Sequence, residues 1–121
     1  MVGALFDTNV LIDHLNAVPQ ARAELDRYED RAISIITWME VMVGAADELT
    51  EPTRRFLEGF TILALDDVIA ERAVALRRAH RIKLPDAVIW ATAQTGGWLL
   101  VTRNTKDFPS DTPGVREPYT L

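Results

Sequence analysis

The chain contains no cysteine. That excludes a disulfide scaffold and any metal site built on thiolates. It has only two histidines, His14 and His80, and both fall in stretches that read as ordinary helix, so a zinc centre has nothing to be made from. Long hydrophobic runs are missing as well. No stretch approaches the roughly 18 uninterrupted apolar residues of a membrane span. The basic leading region of a signal peptide is absent and Asp7 breaks the first apolar run early, so the expectation is a cytoplasmic protein. There is no surplus of positive charge: the net charge is −5 over 121 residues. That argues against a general nucleic-acid coat, which is normally basic, but not against an enzyme that holds nucleic acid through a local patch. Repeats, low-complexity tracts and linkers are also lacking, so 1–121 reads as a single domain. A hydrophobic share of 48% is enough for a real core.

What is present alternates between strand and helix patterns. Residues 2–6 read as a short buried strand, and Thr8 is placed to cap a helix through Val10, Leu11, Ile12 and Leu15. Pro19 suits the first turn of a helix over 19–29. A second strand follows at 32–34, then a helix through Trp38, Met39, Val41, Met42 and Val43 to about Gly44. A helix is expected at 51–58, stopped by Gly59, and a third strand at 61–65. Residues 67–81 form an amphipathic helix with Ile69, Ala73, Leu76 and His80 on one face. Pro85 opens another helix, which Gly96-Gly97 ends. A fourth strand at 99–102 precedes a loop-rich tail with an edge strand near 115–117. The strands are short, apolar and do not alternate, as when both faces are covered. This is the pattern of a small α/β domain on a parallel sheet, where ligands lie beyond the carboxyl ends of the strands.

Four acids stand at the ends of apolar runs: Asp7, Glu40, Asp86 and Asp107. Each has an ordinary explanation. Asp7 can cap a helix. Glu40 can close a capping box with Thr37, although its place between Met39 and Val41 would bury a free carboxylate at some cost. Asp86, just after Pro85, gains roughly 0.3–1 kcal/mol from the helix dipole. Asp107 sits in a polar loop, where Asn104 competes for the same corner. Taken together they mean more. Two carboxylates about 4 Å apart repel by roughly 4 kcal/mol at an effective dielectric near 20. Several such pairs would rival the whole stability of a domain, about 5–15 kcal/mol. Such a cluster persists only if protons or a cation neutralise it. Hard oxygen donors without histidine or cysteine point to Mg²⁺ or Mn²⁺, and such a metal is commonly used to cut a phosphodiester.

Four segments carry a family resemblance. They are Leu5-Phe6-Asp7-Thr8-Asn9-Val10-Leu11-Ile12-Asp13, Ile35-Ile36-Thr37-Trp38-Met39-Glu40-Val41-Met42-Val43-Gly44, Lys83-Leu84-Pro85-Asp86-Ala87-Val88-Ile89-Trp90-Ala91-Thr92-Ala93, and Leu100-Val101-Thr102-Arg103-Asn104-Thr105-Lys106-Asp107-Phe108. In order and spacing the chain resembles, nearly end to end, a PIN-domain ribonuclease of the VapC toxin type from bacterial toxin–antitoxin pairs. The resemblance implies a three-layer α/β/α fold with a short central parallel sheet of four to five strands. It implies an Mg²⁺-dependent (or Mn²⁺-dependent) endoribonuclease in which Asp7 and Asp86 bind metal directly. Glu40 completes the pocket, directly or through water, and Asp107 matches the fourth acid, with Asn104 sharing that corner. Thr8, Asn9, Thr102 and Asn104 orient the carboxylates.

The implied partners are RNA, a cognate antitoxin whose tail blocks the pocket, and a second copy of the chain in a homodimer or a larger toxin–antitoxin assembly. Arg103 and Lys106 flank the expected pocket and are candidates for holding the RNA backbone, as are Arg81 and Lys83 in the basic run with Arg77 and Arg78. That run reads equally well as cations favoured at a helix C-terminus. Trp38, Phe56 and Phe60 are candidates for a groove that receives the antitoxin, or else simply core. Three rivals remain. A haloacid-dehalogenase-like phosphatase needs an acid where Asn9 stands. A receiver domain wants paired acids after its first strand. A degenerate PIN-like module would bind a partner without catalysis.

Overall fold

The sheet grows outward from the first strand in both directions. The computed structural model describes residues 3–109 and 111–121; Val2, which the sequence places in the first strand, lies outside them. The elements are β1 (Ala4–Phe6), α1 (Thr8–Leu15), α2 (Pro19–Asp26), β2 (Arg31–Ser34), α3 (Ile35–Gly44), α4 (Thr50–Leu57), β3 (Thr61–Leu63), α5 (Asp67–His80), α6 (Leu84–Gly96), β4 (Leu99–Val101) and β5 (Val115–Arg116). A short 3-10 turn, Asp47–Leu49, precedes α4. Every strand pairing is parallel and the order is β3-β2-β1-β4-β5.

From β1 the chain steps through β2 to β3, then crosses back to lay β4 and β5 on the other side. The topological switch therefore falls between β1 and β4, the position at which open parallel sheets bind ligands. Phe6 is in register with Val101. The next residues of the two strands, Asp7 and Thr102, thus emerge side by side at the carboxyl edge. A receiver domain has the order 2-1-3-4-5, and the order found here removes that rival.

Side chains alternate across the sheet, so its two faces feed two cores. Leu5 and Leu100 point to a core shared with α5 and α6. Ala4, Phe6, Ile33 and Val101 point to the opposite core, with residues of α1, α2, α3 and α4. The three layers and the parallel sheet agree with the sequence reading.

Element boundaries differ in ways that matter. α3 starts at Ile35 because the Ser34 hydroxyl accepts from the Ile36 amide at 3.1 Å. Thr37 is therefore inside the helix and fully buried, and the Thr37–Glu40 capping box does not form. Glu40 is exposed, as are Met39 and Val43 (44% and 86%), so this part of the helix is apolar yet faces outward. Asp7, not Thr8, caps α1. α2 ends at Asp26, which leaves Tyr28 beyond it, where its hydroxyl donates to Glu24 (2.9 Å). β3 stops at Leu63 and β4 at Val101, each short of its expected end.

Ile69, Ala73 and Leu76 are buried on α5 as expected, whereas His80 is exposed, its ring 4.8 Å from that of Trp90. Gly97 ends α6 in the left-handed region (φ 71°), and the Trp98 amide then reaches back to the Ala93 carbonyl at 2.9 Å. No described helix is long and apolar enough to cross a membrane.

Candidate functional site

Asp7 leaves β1 and becomes the cap of α1, so its carboxylate is fixed by the same turn that ends the strand. Its Oδ1 accepts from the Thr8 amide (2.8 Å). Its Oδ2 accepts from the Thr102 hydroxyl (2.7 Å) and from Asn9 Nδ2 (3.2 Å). The capping role and a role in the pocket are thus not alternatives; one side chain occupies both positions. Thr8 turns the other way. Its hydroxyl lies 2.6 Å from Glu40 Oε1 and 3.0 Å from the Thr37 hydroxyl, which ties α1 to α3.

Asp86 enters from the first turn of α6 and is half-buried. Among the described residues nothing donates a hydrogen bond to it. Asp107 comes from the loop after β4, which is closed on itself: Asn104 Nδ2 donates to Asp107 Oδ2 (3.0 Å) and the Asp107 amide to Asn104 Oδ1 (3.3 Å). Asn104 is in turn tied to Thr102, its amide 3.0 Å from that hydroxyl.

The structure brings all four acids to one cavity of about 460 Å³, with Thr8, Asn9 and Asn104 also in its wall. Thr102 lies directly behind Asp7 and is fully buried. The electrostatic cost is visible in the carboxyls. Burial, and then the charges of Asp7, Asp107 and Glu40, push Asp86 up to about 6, with Lys83 opposing. Asp7 is also raised: its burial and the charges of Glu40 and Asp107 outweigh the donors Thr102 and Thr8.

The donor set is all oxygen, the chemistry of Mg²⁺ or Mn²⁺. Among the described residues no three acidic or histidine side chains close around a single point as a ready metal cage. Mg²⁺ does not require one. It is usually bound by one or two carboxylates and keeps several waters, and Asp7 with Asp86 is a set of that size.

Of the cations expected to hold RNA, Lys83 and Arg103 line the cavity, whereas Arg81 and Lys106 do not. Arg81 closes α5 with a left-handed backbone, φ 56°. Arg103 is not a free cation. Its Nε and Nη2 grip the Asp13 carboxylate at 2.6 and 3.0 Å, and Tyr119 donates to the same carboxylate at 2.8 Å. Sequence reasoning passed over Asp13 as a site residue and missed Tyr119 entirely. Asp13 carried a usable signal, because it stands four residues after Asn9 on one helix face. Tyr119 carried none, since its contact spans most of the chain.

Trp38, Phe56 and Phe60 line neither this cavity nor the apolar groove beside it. Phe60 is core, 6.1 Å from the Phe6 ring; Phe56 stacks on His14 at 4.9 Å; the Trp38 ring lies under Arg54 at 5.6 Å. That groove, of about 670 Å³, lies between α1, α3 and α4, and is lined by Ile12, Leu15, Val41, Leu49 and Pro52 among others. Ile12 belongs to its wall and also to that of the acidic cavity, so the two adjoin at that side chain.

Known proteins resemble this chain in sequence and fold. A family model described as PIN domain matches residues 4–110. The chain is 35% identical over 113 residues to Ribonuclease VapC10 of Mycobacterium tuberculosis, covering 87% of this chain and 85% of that protein. Among solved structures it is similar to a toxin–antitoxin complex from Klebsiella pneumoniae, with TM-score 0.94 and 50% identity over 98% of this chain and 100% of that one. It is also similar to a DNA-bound VapBC from Salmonella typhimurium, with TM-score 0.76 and 25% identity over 96% of each chain.

Proposed function

This chain belongs to the PIN-domain family, and we propose that it is a VapC-type ribonuclease, the toxin of a toxin–antitoxin pair, which hydrolyses RNA phosphodiesters at the pocket of Asp7, Glu40, Asp86 and Asp107. The observation that carries this reading is Asp86. It is half-buried, receives no donor among the described residues, and is pushed up to about 6 by burial and by the other acids. A carboxylate so placed favours a cation beside it.

In this reading Asp7 and Asp86 would hold Mg²⁺ or Mn²⁺, and Glu40, directly or through water, and Asp107 would complete the pocket. The cation supplies Lewis acidity, lowering the pKa of water and offsetting charge on the phosphate oxygens. The chain's own groups do the rest. Asp7 cannot swing, because three donors hold its two oxygens. Glu40 is exposed at the cavity, and Thr8 fixes only its Oε1, which leaves Oε2 to take the proton of the attacking water. Lys83 stands at the cavity as a point charge for an RNA phosphate.

The partner follows from the same surface. The relatives in complexes are toxin–antitoxin pairs, and an antitoxin segment laid in the apolar groove would pass Ile12 and reach the acids. We assign the chain one PIN domain over 1–121, a homodimeric state and a cytoplasmic location.

The test is purified protein against total RNA, with Mg²⁺ or with EDTA. Cleavage should require the cation, and Asp7→Asn should lower the rate by about a hundredfold or more. Cutting that persists in EDTA, or in the Asn variant, sinks the proposal.

A further inference from the structure

The wall of the cavity that comes last in sequence is the loop after β4, which carries Asn104 and Asp107. Its own hydrogen bonds close it locally. Phe108 seats its far end on α6, the ring buried 5.6 Å from that of Trp90, and Arg103 ties its near end at two points on one face of α1. Its backbone amide donates to Asn9 Oδ1 (3.3 Å), and its guanidinium forks onto Asp13, four residues further along that helix.

The first contact does more than anchor. An amide N–H must meet an oxygen, so it fixes which end of the Asn9 side chain faces Arg103 and leaves Nδ2 directed at Asp7 Oδ2. The second contact depends on Asp13 keeping its orientation. Asp13 is 6% exposed, and the oxygen that takes the shorter Arg103 bond also accepts from the Tyr119 hydroxyl. A buried carboxylate with two donors on one oxygen has little freedom to rotate.

Tyr119 lies past β5, whose last residue, Arg116, forks onto Glu24 of α2 at 2.8 and 3.1 Å, and the Tyr119 ring packs against the core on the α1 and α2 side of the sheet. The strand end is therefore fastened by Arg116 and the stretch beyond it by the ring, so the hydroxyl is not needed merely to fasten it.

We infer that Tyr119 is a positioning residue for the acidic cavity, acting through Asp13 and Arg103 to hold the loop of Asn104 and Asp107 and the Asn9 amide that faces Asp7. The inference rests on the ribonuclease reading of that cavity.

Tyr119→Phe keeps the ring and removes only the oxygen. Three readouts on the full chain test the idea. In RNA cleavage, kcat should fall about tenfold, the low end of what outer partners of a metal site cost, with KM changing less than about twofold. In Mn²⁺ titration of the protein without RNA, affinity should weaken by a similar factor. In amide hydrogen exchange, residues 103–108 should exchange faster while the α5 and α6 amides do not. Adding Tyr119→Phe to Asp13→Asn should cost nothing further, because both act through one carboxylate.

A lowered melting midpoint with kcat, Mn²⁺ affinity and loop exchange all unchanged would overturn the inference, as would additive losses in the double variant. Failure of the ribonuclease reading would look different. The unmodified protein would not cut RNA at all, while the Mn²⁺ and exchange readouts would still decide the role of Tyr119.

Discussion

Glu24 and Asp7 are equally buried, at 4% exposure each, yet their carboxyls move in opposite directions. Burial raises both. Around Asp7 the nearby charges are Glu40 and Asp107, which raise it further. Around Glu24, the Arg116 fork and the Tyr28 hydroxyl outweigh burial and hold the group below its ordinary value of 4.5. A carboxyl lowered in the folded state adds stability that is present above its unfolded pKa and is lost as pH falls through its folded pKa. Glu24→Gln should therefore destabilise the protein at pH 7 by about 1–3 kcal/mol, and its deficit should shrink below about pH 4.5. Urea midpoints of both proteins across that range read this directly. A deficit that stays constant with pH would mean the ion pair contributes nothing through charge.

At the scale of elements, the junction of α6 with β4 shows how tightly the sheet is fitted. Trp98 follows the left-handed Gly97 and lies against Gly3 at the foot of β1, where a Cβ would come within 2.5 Å of the indole. Gly3→Ala must displace that ring or the strand, and should cost about 1–3 kcal/mol. Thermal melting checks this, and a variant as stable as the parent would show that the ring is loosely held. The same elements show what the sequence reveals and what it withholds. Pro85 and Gly97 bracket α6 to within a residue, because proline and glycine act locally. The capping box at Thr37 was a misreading because Ser34, three residues earlier, offered an equally good cap and the strand ran straight into the helix. Glu40 was expected inside an apolar wall, but α3 is apolar on its outward side too, and composition cannot tell a covered face from an open one. The four acids were legible because each stands beside an apolar run, although Asp7 alone lies at a strand tip and Asp86 alone at a helix start, with Glu40 inside α3 and Asp107 in the loop after β4. The Asp13, Arg103 and Tyr119 network was not, since it joins residues that only the finished topology makes neighbours.

For the molecule as a whole, the acidic rim is a source of repulsion that works against the fold. Asp86 stands among three other carboxylates, so removing its charge should relieve the fold. In EDTA near pH 8, Asp86→Asn should melt higher than the parent, by roughly 4 °C for each kcal/mol relieved. Mn²⁺ at about 100 times its Kd should stabilise the parent by about 2.7 kcal/mol and the variant by much less. Calorimetric melts with and without Mn²⁺ test both halves, and equal shifts in the two proteins would remove Asp86 from the cation site. The sheet order has a further consequence during synthesis. β1 pairs with β4, β4 pairs with β5, and Asp13 receives Tyr119 from still further along the chain. Asp7 is made 95 residues before Thr102, whose hydroxyl fixes its carboxylate. The acidic cavity therefore cannot take its geometry until both halves of the polypeptide have met, and a chain caught partway has the carboxylate without the wall that orients it.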